Sequence, residues 1–523
     1  MHAVIETSRR ADLLEQRTAV ETTRKVVRSA VVGLGLLWSL GALAFLLEAS
    51  RALRVLEERD YGEGILMWQA QHVTDLKTAY HSIANYPYVI FHYPPVFHIL
   101  SRAAALLTGN LLVGGRLVSI LSFLGSCVLL AIIAGHALAG YRDRASKMLG
   151  SIGAGLLGFT SAVMPWACLF RVDLVAVFFT LLGLMFFITS PGRPGRAFAA
   201  FVFFVIAVYT KQTMVAAPLV CLLSAWLEDR KLAWRILLFS TGLGASVLAV
   251  LCVASNGWFA TNLFRYNQNP YTFHHLATQW ESHIRATFVI PLIASFVVIW
   301  MACARGMARK RGVLLTLRQG LRRNQLHRCI LIVAGYLTVA LLTTIMLGKE
   351  GSNYNYFIEV DFAIALLSGL FLGSVANLAT FRPAKYATAL FLALAAFVFQ
   401  ALPNIDALQF TRNRLALPSS DSQLASYVST ISGPIYGENM VVLVNAGKEI
   451  AAEPAIITSL AKNGMWDQTD FVQSIRNHRF SAIQVGTSLD NRERFTQEVA
   501  AAIRAEYPET VQVAQSTIYL PRM

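Results

Sequence analysis

Apolar runs long enough to cross a bilayer recur from Val31 to Ala401, and this recurrence limits the chain more than any other feature. A lipid core offers no water to backbone polar groups, so a crossing segment must satisfy them internally, as a helix or a closed barrel. The runs here are continuous rather than alternating, which argues for helices and against a barrel. Only 14% of residues are charged and 55% are hydrophobic, with a mean hydropathy of +0.51. A soluble chain would carry about a quarter charged residues. The first run is Val31 to Leu47, and later ones centre near Ile99, Leu124, Ala154, Thr180, Ile206, Ala245, Val297, Val339, Leu367 and Ala393. They predict a mainly α, polytopic transmembrane bundle of about eleven spans, with a range of about ten to thirteen. The stretch Ala197 to Trp226 reads either as one long span or as two broken at Lys211-Gln212.

Charge sets the orientation. The net charge is +15, which in a soluble protein would suggest nucleic acid. Here the densest basic run, Arg305 to Arg328, holds eight Arg and Lys and no acid between two apolar runs. Such a loop marks the cytoplasmic side. Its Leu314, Leu315, Leu317 and Leu321 predict an amphipathic helix on anionic lipid, so the partner of this charge is the lipid bilayer and not nucleic acid. Parity then places Gly348 to Glu359, the loop around Asp60 and everything after Leu402 on the outer face. The same count puts Arg142, Arg144 and Lys147 outside, against the trend. Residues 1–30 are polar and cytoplasmic, with no cleaved signal peptide, and the first span serves as the targeting signal. None of the six cysteines has metal-ligand spacing, so neither a disulfide nor a structural zinc is expected.

Composition changes near Pro403, where acids come to outnumber bases. The expected organisation is a cytoplasmic segment at 1–30, a membrane domain at 31–403 with an outward loop at 48–93, and a soluble α/β domain at 404–523. In that last domain Val441 to Val444, Ala482 to Val485 and Val511 to Leu520 read as strands. Ser422 to Ile431, Asp470 to His478 and Arg494 to Tyr507 read as helices. It contains no phosphate-binding glycine loop, so its expected role is to cap or guide a substrate.

Several charged positions carry chemistry. Asp60 and Glu63, in Arg59-Asp60-Tyr61-Gly62-Glu63-Gly64, stand at the mouth of the first span, where a carboxylate can serve as a general base or simply pair with Arg59. His92-Tyr93-Pro94-Pro95 starts the second span, with proline tolerated in a first helical turn. Arg171-Val172-Asp173 lies between two apolar runs, where charges are expensive and pair with each other or line a site. Lys211-Gln212 sits mid-stretch with no nearby acid, and the lysine either snorkels to the interface or faces a cavity that holds an anion. Lys349-Glu350-Gly351-Ser352-Asn353-Tyr354-Asn355-Tyr356-Phe357-Ile358-Glu359 enters a span with a density of amide, phenol and charged groups that suits sugar or phosphate. An interfacial aromatic belt accounts for its tyrosines alone.

The order of these motifs, with Gly115-Arg116-Leu117 between the prolines and Arg171, resembles the polytopic GT-C glycosyltransferases. The similarity is to the branch that holds protein mannosyltransferases and the lipid A aminoarabinose transferase, and it covers roughly Val31 to Ala401. The resemblance implies a multi-pass enzyme of the bacterial inner membrane. It implies transfer of a sugar from a polyprenyl-phosphate donor to a lipid, glycan or protein acceptor on the periplasmic face, with inversion. Asp60 would be the general base, with Glu63 as the other candidate or as a residue that orients the acceptor. Lys211, Lys349, Arg171 and Arg59, in that order, with His92 and Tyr93, would hold the donor phosphate. Asn353, Asn355, Tyr356, Glu359 and Gln212 would contact sugar or acceptor. Members often place a basic residue directly before the paired prolines, where this chain has Tyr93. Some branches use a divalent metal and others do not, so no cofactor is assigned. A transporter of lipid-linked sugars or polysaccharide is the alternative, for which stacked intramembrane charges or internal repeats would be expected.

Overall fold

The computed structural model describes residues 2–159, 163–287, 295, 297, 313–401 and 420–522. The chain opens with one unbroken helix, His2–Arg54, so the polar N-terminal segment and the first apolar run form a single rod that ends just before Asp60. Further helices run over Val96–Thr108, Leu111–Ala137, Arg144–Phe159, Asp173–Ile188, Pro194–Val208, Ala216–Glu228, Arg230–Ala254, Gln325–Thr343, Ile358–Phe381 and Pro383–Ala401. Among the described residues, five helical segments are long and apolar enough to cross a membrane: Leu13–Arg54, Leu111–Ala137, Arg230–Ala254, Gln325–Gly348 and Tyr354–Phe381. Shorter apolar helices stand beside them. Most of the run expected around Val297, the first part of the basic run from Arg305, and the domain boundary expected at 403/404 lie outside the described residues. The remainder of the basic run includes a helix, Val313–Arg323, packed against Gln325–Thr343.

The stretch from Ala197 to Trp226 is two helices, Pro194–Val208 and Ala216–Glu228, separated by a turn that holds Lys211 and Gln212. The break has a local cause. Lys211 turns inward to an acid, and Pro218 lies in the first turn of the second helix, where its missing N–H costs nothing. Close packing elsewhere rests on small residues, as expected where lipid removes the hydrophobic drive between helices. Helices Arg144–Phe159 and Ile358–Phe381 cross so tightly that a Cβ on Gly369 would stand 2.6 Å from the Gly150 carbonyl oxygen.

The C-terminal region forms a four-stranded sheet in the order β1-β2-β4-β3, with β1 Ile435–Gly437, β2 Ala482–Val485, β3 Glu509–Val513 and β4 Ser516–Leu520. β1 pairs parallel to β2, and the other pairings are antiparallel. Val441 to Val444, expected as a strand, lies instead in a short buried helix, Met440–Asn445. A brief apolar run fits either state, and here Asn439 decides it by accepting the Val442 N–H at 3.1 Å as a helix cap. The run expected as one strand from Val511 is a hairpin, β3 and β4, turning at Ala514 with φ 52°.

This domain docks on the loop that follows the first helix. Met440–Asn445 packs against helix Glu63–His72, and both join one buried cluster with Ile65, Leu66, Trp68 and Leu443. Backbone bonds add to the contact: Tyr88 N–H donates to the Ala451 carbonyl at 2.8 Å, and Ala455 N–H to the Tyr61 hydroxyl at 3.1 Å. Gly64 sits where the two layers touch, and a Cβ there would stand 2.6 Å from the Val441 nitrogen. Overpacking of this kind costs about 1–3 kcal/mol. Gly64→Ala is therefore expected to loosen the C-terminal domain, read as faster limited proteolysis of that domain in detergent-solubilised protein. Cleavage at the wild-type rate would contradict this packing.

Candidate active site

The acidic loop gains its shape from one buried ion pair. Glu63, 0% exposed, opens helix Glu63–His72, and Arg116, also 0% exposed, projects from the first turns of Leu111–Ala137. The guanidinium grips the carboxylate with two bonds, Nε to Oε1 at 2.9 Å and a terminal nitrogen to Oε2 at 2.7 Å. Its other donors reach the carbonyls of Ala52 at 2.7 Å, Val55 at 3.0 Å and Glu57 at 2.6 Å, which ties off the end of the first helix. Glu63 in turn accepts the backbone N–H of Phe170 at 2.7 Å and of Arg59 at 2.8 Å. Both groups are saturated. A carboxylate with every acceptor position filled has no room to take a proton from a substrate.

Asp60 differs. It is partly exposed and pairs with the Arg171 guanidinium, while its Oδ2 accepts the Gly62 N–H at 3.1 Å. A Cβ on Gly62 would meet that guanidinium, so the glycine makes room for the pair. Arg171 belongs to the short turn before helix Asp173–Ile188, and it lies over the Trp166 ring at 5.4 Å. The Trp166 indole donates to Asp173 Oδ2 at 2.7 Å. Asp173 Oδ1 receives Lys211 Nζ at 2.6 Å and Asn355 Nδ2 at 3.0 Å. Lys211 thus has an acid partner after all, one far away in sequence. Its ammonium also lies 4.7 Å from the centre of the Tyr356 ring, and Glu359 on the next helical turn accepts the Tyr336 hydroxyl at 3.1 Å. One chain of charged, amide and aromatic groups therefore runs from Asp60 to Glu359.

The segment before the paired prolines closes a side of this chain. The His92 carbonyl accepts from Gln212 Nε2 and Asn267 Nδ2, each at 3.2 Å, and Val96 N–H donates to the Tyr209 carbonyl at 3.2 Å. The helix start is thus clamped to the break at Lys211-Gln212. Burial pushes the His92 imidazole down to about 4, so it meets an anion as a neutral hydrogen-bonding group. Tyr93 lies within electrostatic reach of Asp173, Tyr356 and Glu453. Arg59 is elsewhere: its guanidinium pairs with Glu48 on the first helix. Asn353 is exposed and caps the turn at Tyr354, whose N–H it accepts at 2.7 Å. Lys349 is half-buried on the same connecting segment, and its ammonium meets no acid among the described residues. No group of three or more His, Cys, Asp and Glu side chains there is spaced to hold a metal.

Buried polar atoms without partners are rare in folded proteins and point to a missing contact. Arg171 Nε, Gln212 Oε1, Asn355 Oδ1 and Glu453 Oε2 are all buried and unpaired. The first three belong to the chain of groups just described. The fourth comes from the C-terminal domain, whose role expected from sequence is to cap or guide a substrate. Arg116 was visible only as part of Gly115-Arg116-Leu117, with nothing in its spacing to name Glu63 as partner.

The architecture is shared with solved structures at low sequence identity. Among solved structures it is similar to ArnT from Cupriavidus metallidurans bound to undecaprenyl phosphate, with a TM-score of 0.57 and 13% identity over 92% of this chain and 97% of that one. It is also similar to the oligosaccharyltransferase of Archaeoglobus fulgidus tethered to an acceptor peptide, with a TM-score of 0.51 and 10% identity over 93% of this chain and 74% of that one. The AglB oligosaccharyltransferase of Archaeoglobus fulgidus in complex with an inhibitory peptide and a dolichol-phosphate gives a TM-score of 0.51 at 11% identity, over the same shares. No family model matches the sequence, and no curated protein matches it.

Removing one side of a buried pair strands the other charge and costs about 3–5 kcal/mol. Glu63→Ala is expected to lower the unfolding midpoint of the purified protein by several degrees in a detergent melt, because Arg116 loses two of its acceptors. A midpoint within error of wild type would show that the pair is not what holds this loop.

Proposed function

We propose that this protein is a membrane glycosyltransferase that moves a sugar from a polyprenyl-phosphate carrier to an acceptor hydroxyl, at the outer face of a bacterial inner membrane. The fold supports the general class. The observation that carries the finer reading is Asp60, a partly exposed carboxylate paired with Arg171, in a chain of groups whose buried unpaired atoms await a ligand. The ArnT neighbour is bound to undecaprenyl phosphate and an AglB neighbour to a dolichol-phosphate, which favours a lipid phosphate as that ligand.

The proposed reaction is a single displacement. The acceptor oxygen attacks the anomeric carbon from the face opposite the phosphate, the bond from that carbon to the phosphate oxygen breaks, and the configuration inverts. The acceptor proton passes to Asp60, and the carrier leaves as a phosphate monoester. Arg171 has two functions in this scheme. In the resting site it occupies Asp60. A donor phosphate competes for the same guanidinium, so arrival of the donor frees the carboxylate to face the acceptor. Arg171 and Lys349 stabilise the charge that develops on the phosphate, and Lys211 does so while held by Asp173. Asn355, Tyr356, Glu359 and Gln212 contact the sugar or acceptor from the opposite wall. His92 and Tyr93 border the phosphate as hydrogen-bonding groups. Glu63 shapes the loop rather than taking the proton, since its acceptor positions are full. Arg59 supports the end of the first helix through Glu48.

Loss of a general base slows a reaction by about 10²–10⁴-fold. Asp60→Asn is expected to reduce transfer by at least that range in a reconstituted assay with radiolabelled undecaprenyl-phosphate sugars, while its melting point stays at the wild-type value. Turnover near wild type would remove Asp60 from this role. Among the described residues Lys349 has no acid partner to lose, so Lys349→Ala is expected to leave stability unchanged and to weaken undecaprenyl phosphate binding about tenfold, or about 1.4 kcal/mol. Native mass spectrometry in detergent reads this directly, and unaltered affinity would place the phosphate elsewhere.

A further inference from the structure

Glu453 stands at the start of helix Pro454–Lys462 in the C-terminal domain, yet its side chain does not cap that helix. The residue is 5% exposed, and its Oε2 has no hydrogen-bond partner. Its backbone is fixed to the membrane domain on both sides: Ala452 bridges to Tyr88, and Ala455 N–H donates to the Tyr61 hydroxyl. The carboxyl group is therefore placed deliberately near the Asp60 loop and left unsatisfied. The groups that face it are Arg494 and Tyr436 from its own domain, Tyr61 and Tyr93 from the loops beside the prolines and Asp60, and Arg171.

An ionised carboxylate at such a place is costly unless paired. Burial pushes Glu453 up to about 7, with Arg494 and then Arg171 pulling the other way. Arg494 is already committed, stacked on Tyr61 at 3.5 Å and paired with Glu438 at 3.6 Å. Arg171 is the partner that a ligand can change, because its Nε is also unpaired. A phosphate seated on Arg171 would both consume that positive charge and add negative charge beside Glu453, and each effect favours the protonated acid.

We propose that Glu453 is a further residue of this site: it takes up a proton when a lipid phosphate settles against Arg171 and releases it when the phosphate leaves. The inference rests on the reading of Arg171 as part of a lipid-phosphate seat. The proton comes from solvent; a cavity of about 210 Å³ reaches Tyr61 and Arg494, two of the side chains beside Glu453, and is also lined by Glu58, Glu438 and Thr487. The consequence is discrimination between substrate and product. A sugar-bearing carrier is a phosphodiester with one negative charge, whereas the spent carrier is a monoester with up to two. The cost of keeping Glu453 protonated, or of repulsion once it ionises, weighs more heavily on the second and hastens its departure. Glu453 is in this sense a positioning and release residue that acts through charge.

The test uses the full-length protein in detergent and undecaprenyl phosphate, titrated by calorimetry at pH 8 in two buffers of different ionisation enthalpy. A like charge that raises an acid by about one to two units implies uptake of about 0.4–0.8 of a proton on binding at this pH. Binding to Arg171 alone would give none, or a release from the phosphate itself. Glu453→Gln is expected to abolish the uptake, to bind several-fold tighter than wild type at pH 8, and to match it at pH 6. Absence of uptake by the wild-type protein overturns the proposal even if the variant does not fold, and so does equal uptake by the variant. Failure of wild-type protein to bind undecaprenyl phosphate at any pH would instead reject the lipid-phosphate seat on which the proposal stands.

Discussion

The bond between Arg116 and Glu63 is the constraint on which the rest of the site depends. Three pieces of chain converge on it: the end of the first helix through its carbonyls, the acidic loop through Glu63 and the Arg59 amide, and the turn before Asp173 through the Phe170 amide. The pieces are a helix end, a helix start and an irregular turn, and no single element places all three. With water excluded, a guanidinium whose donors are all engaged fixes their relative positions far better than apolar packing would. Asp60 and Arg171 then meet because they lie close in sequence to groups held by that bond, at Glu63 and Phe170.

From there charge is handed along the bundle in pairs. Asp60 meets Arg171, Asp173 meets Lys211, and aromatic faces of Trp166 and Tyr356 lie between or beside them. Each pair is near-neutral, which limits the cost of burial at membrane depth. In the proposed reaction the first pair exchanges its internal partner for an external one, while Lys211 stays on Asp173. At the far end of helix Ala216–Glu228 the pair Arg328–Glu228, with the Phe187 ring 5.2 Å from the guanidinium, serves to fasten helices. The difference lies in the surroundings and not in the ion pair itself, since the first group gathers Arg171 Nε, Gln212 Oε1 and Asn355 Oδ1 as buried unpaired atoms, against Arg328 Nε at the second.

Much of this was legible in the sequence. The apolar runs announced a helical membrane bundle, and isolated charges within them marked Arg171, Asp173 and Lys211, because lipid makes an unpaired charge conspicuous. What could not be read was pairing. Lys211 had no acid within reach along the chain, and its partner Asp173 comes from another helix. Glu63 and Asp60 were indistinguishable as two acids in one loop, because the number of donors around each is set by residues more than fifty positions away. Val441 to Val444 failed for a local reason: four apolar residues carry no period, and the cap at Asn439 settles the matter. Glu453 gave no signal, since an acid in a soluble domain of ordinary composition looks solvated until tertiary contacts bury it.

The contrast between the two acids also sets two clocks in one loop. The amide hydrogens of Arg59 and Phe170 end on the same buried carboxylate, beneath a guanidinium that clasps three chain segments at once. They can exchange with solvent only when that whole junction opens, on the slow timescale of cooperative unfolding. The amide of Gly62, three residues from Arg59, ends instead on the partly exposed Asp60 carboxylate and is released by a local movement. A rigid floor and a mobile rim are thus built from the same short stretch of chain, with the proposed base on the rim.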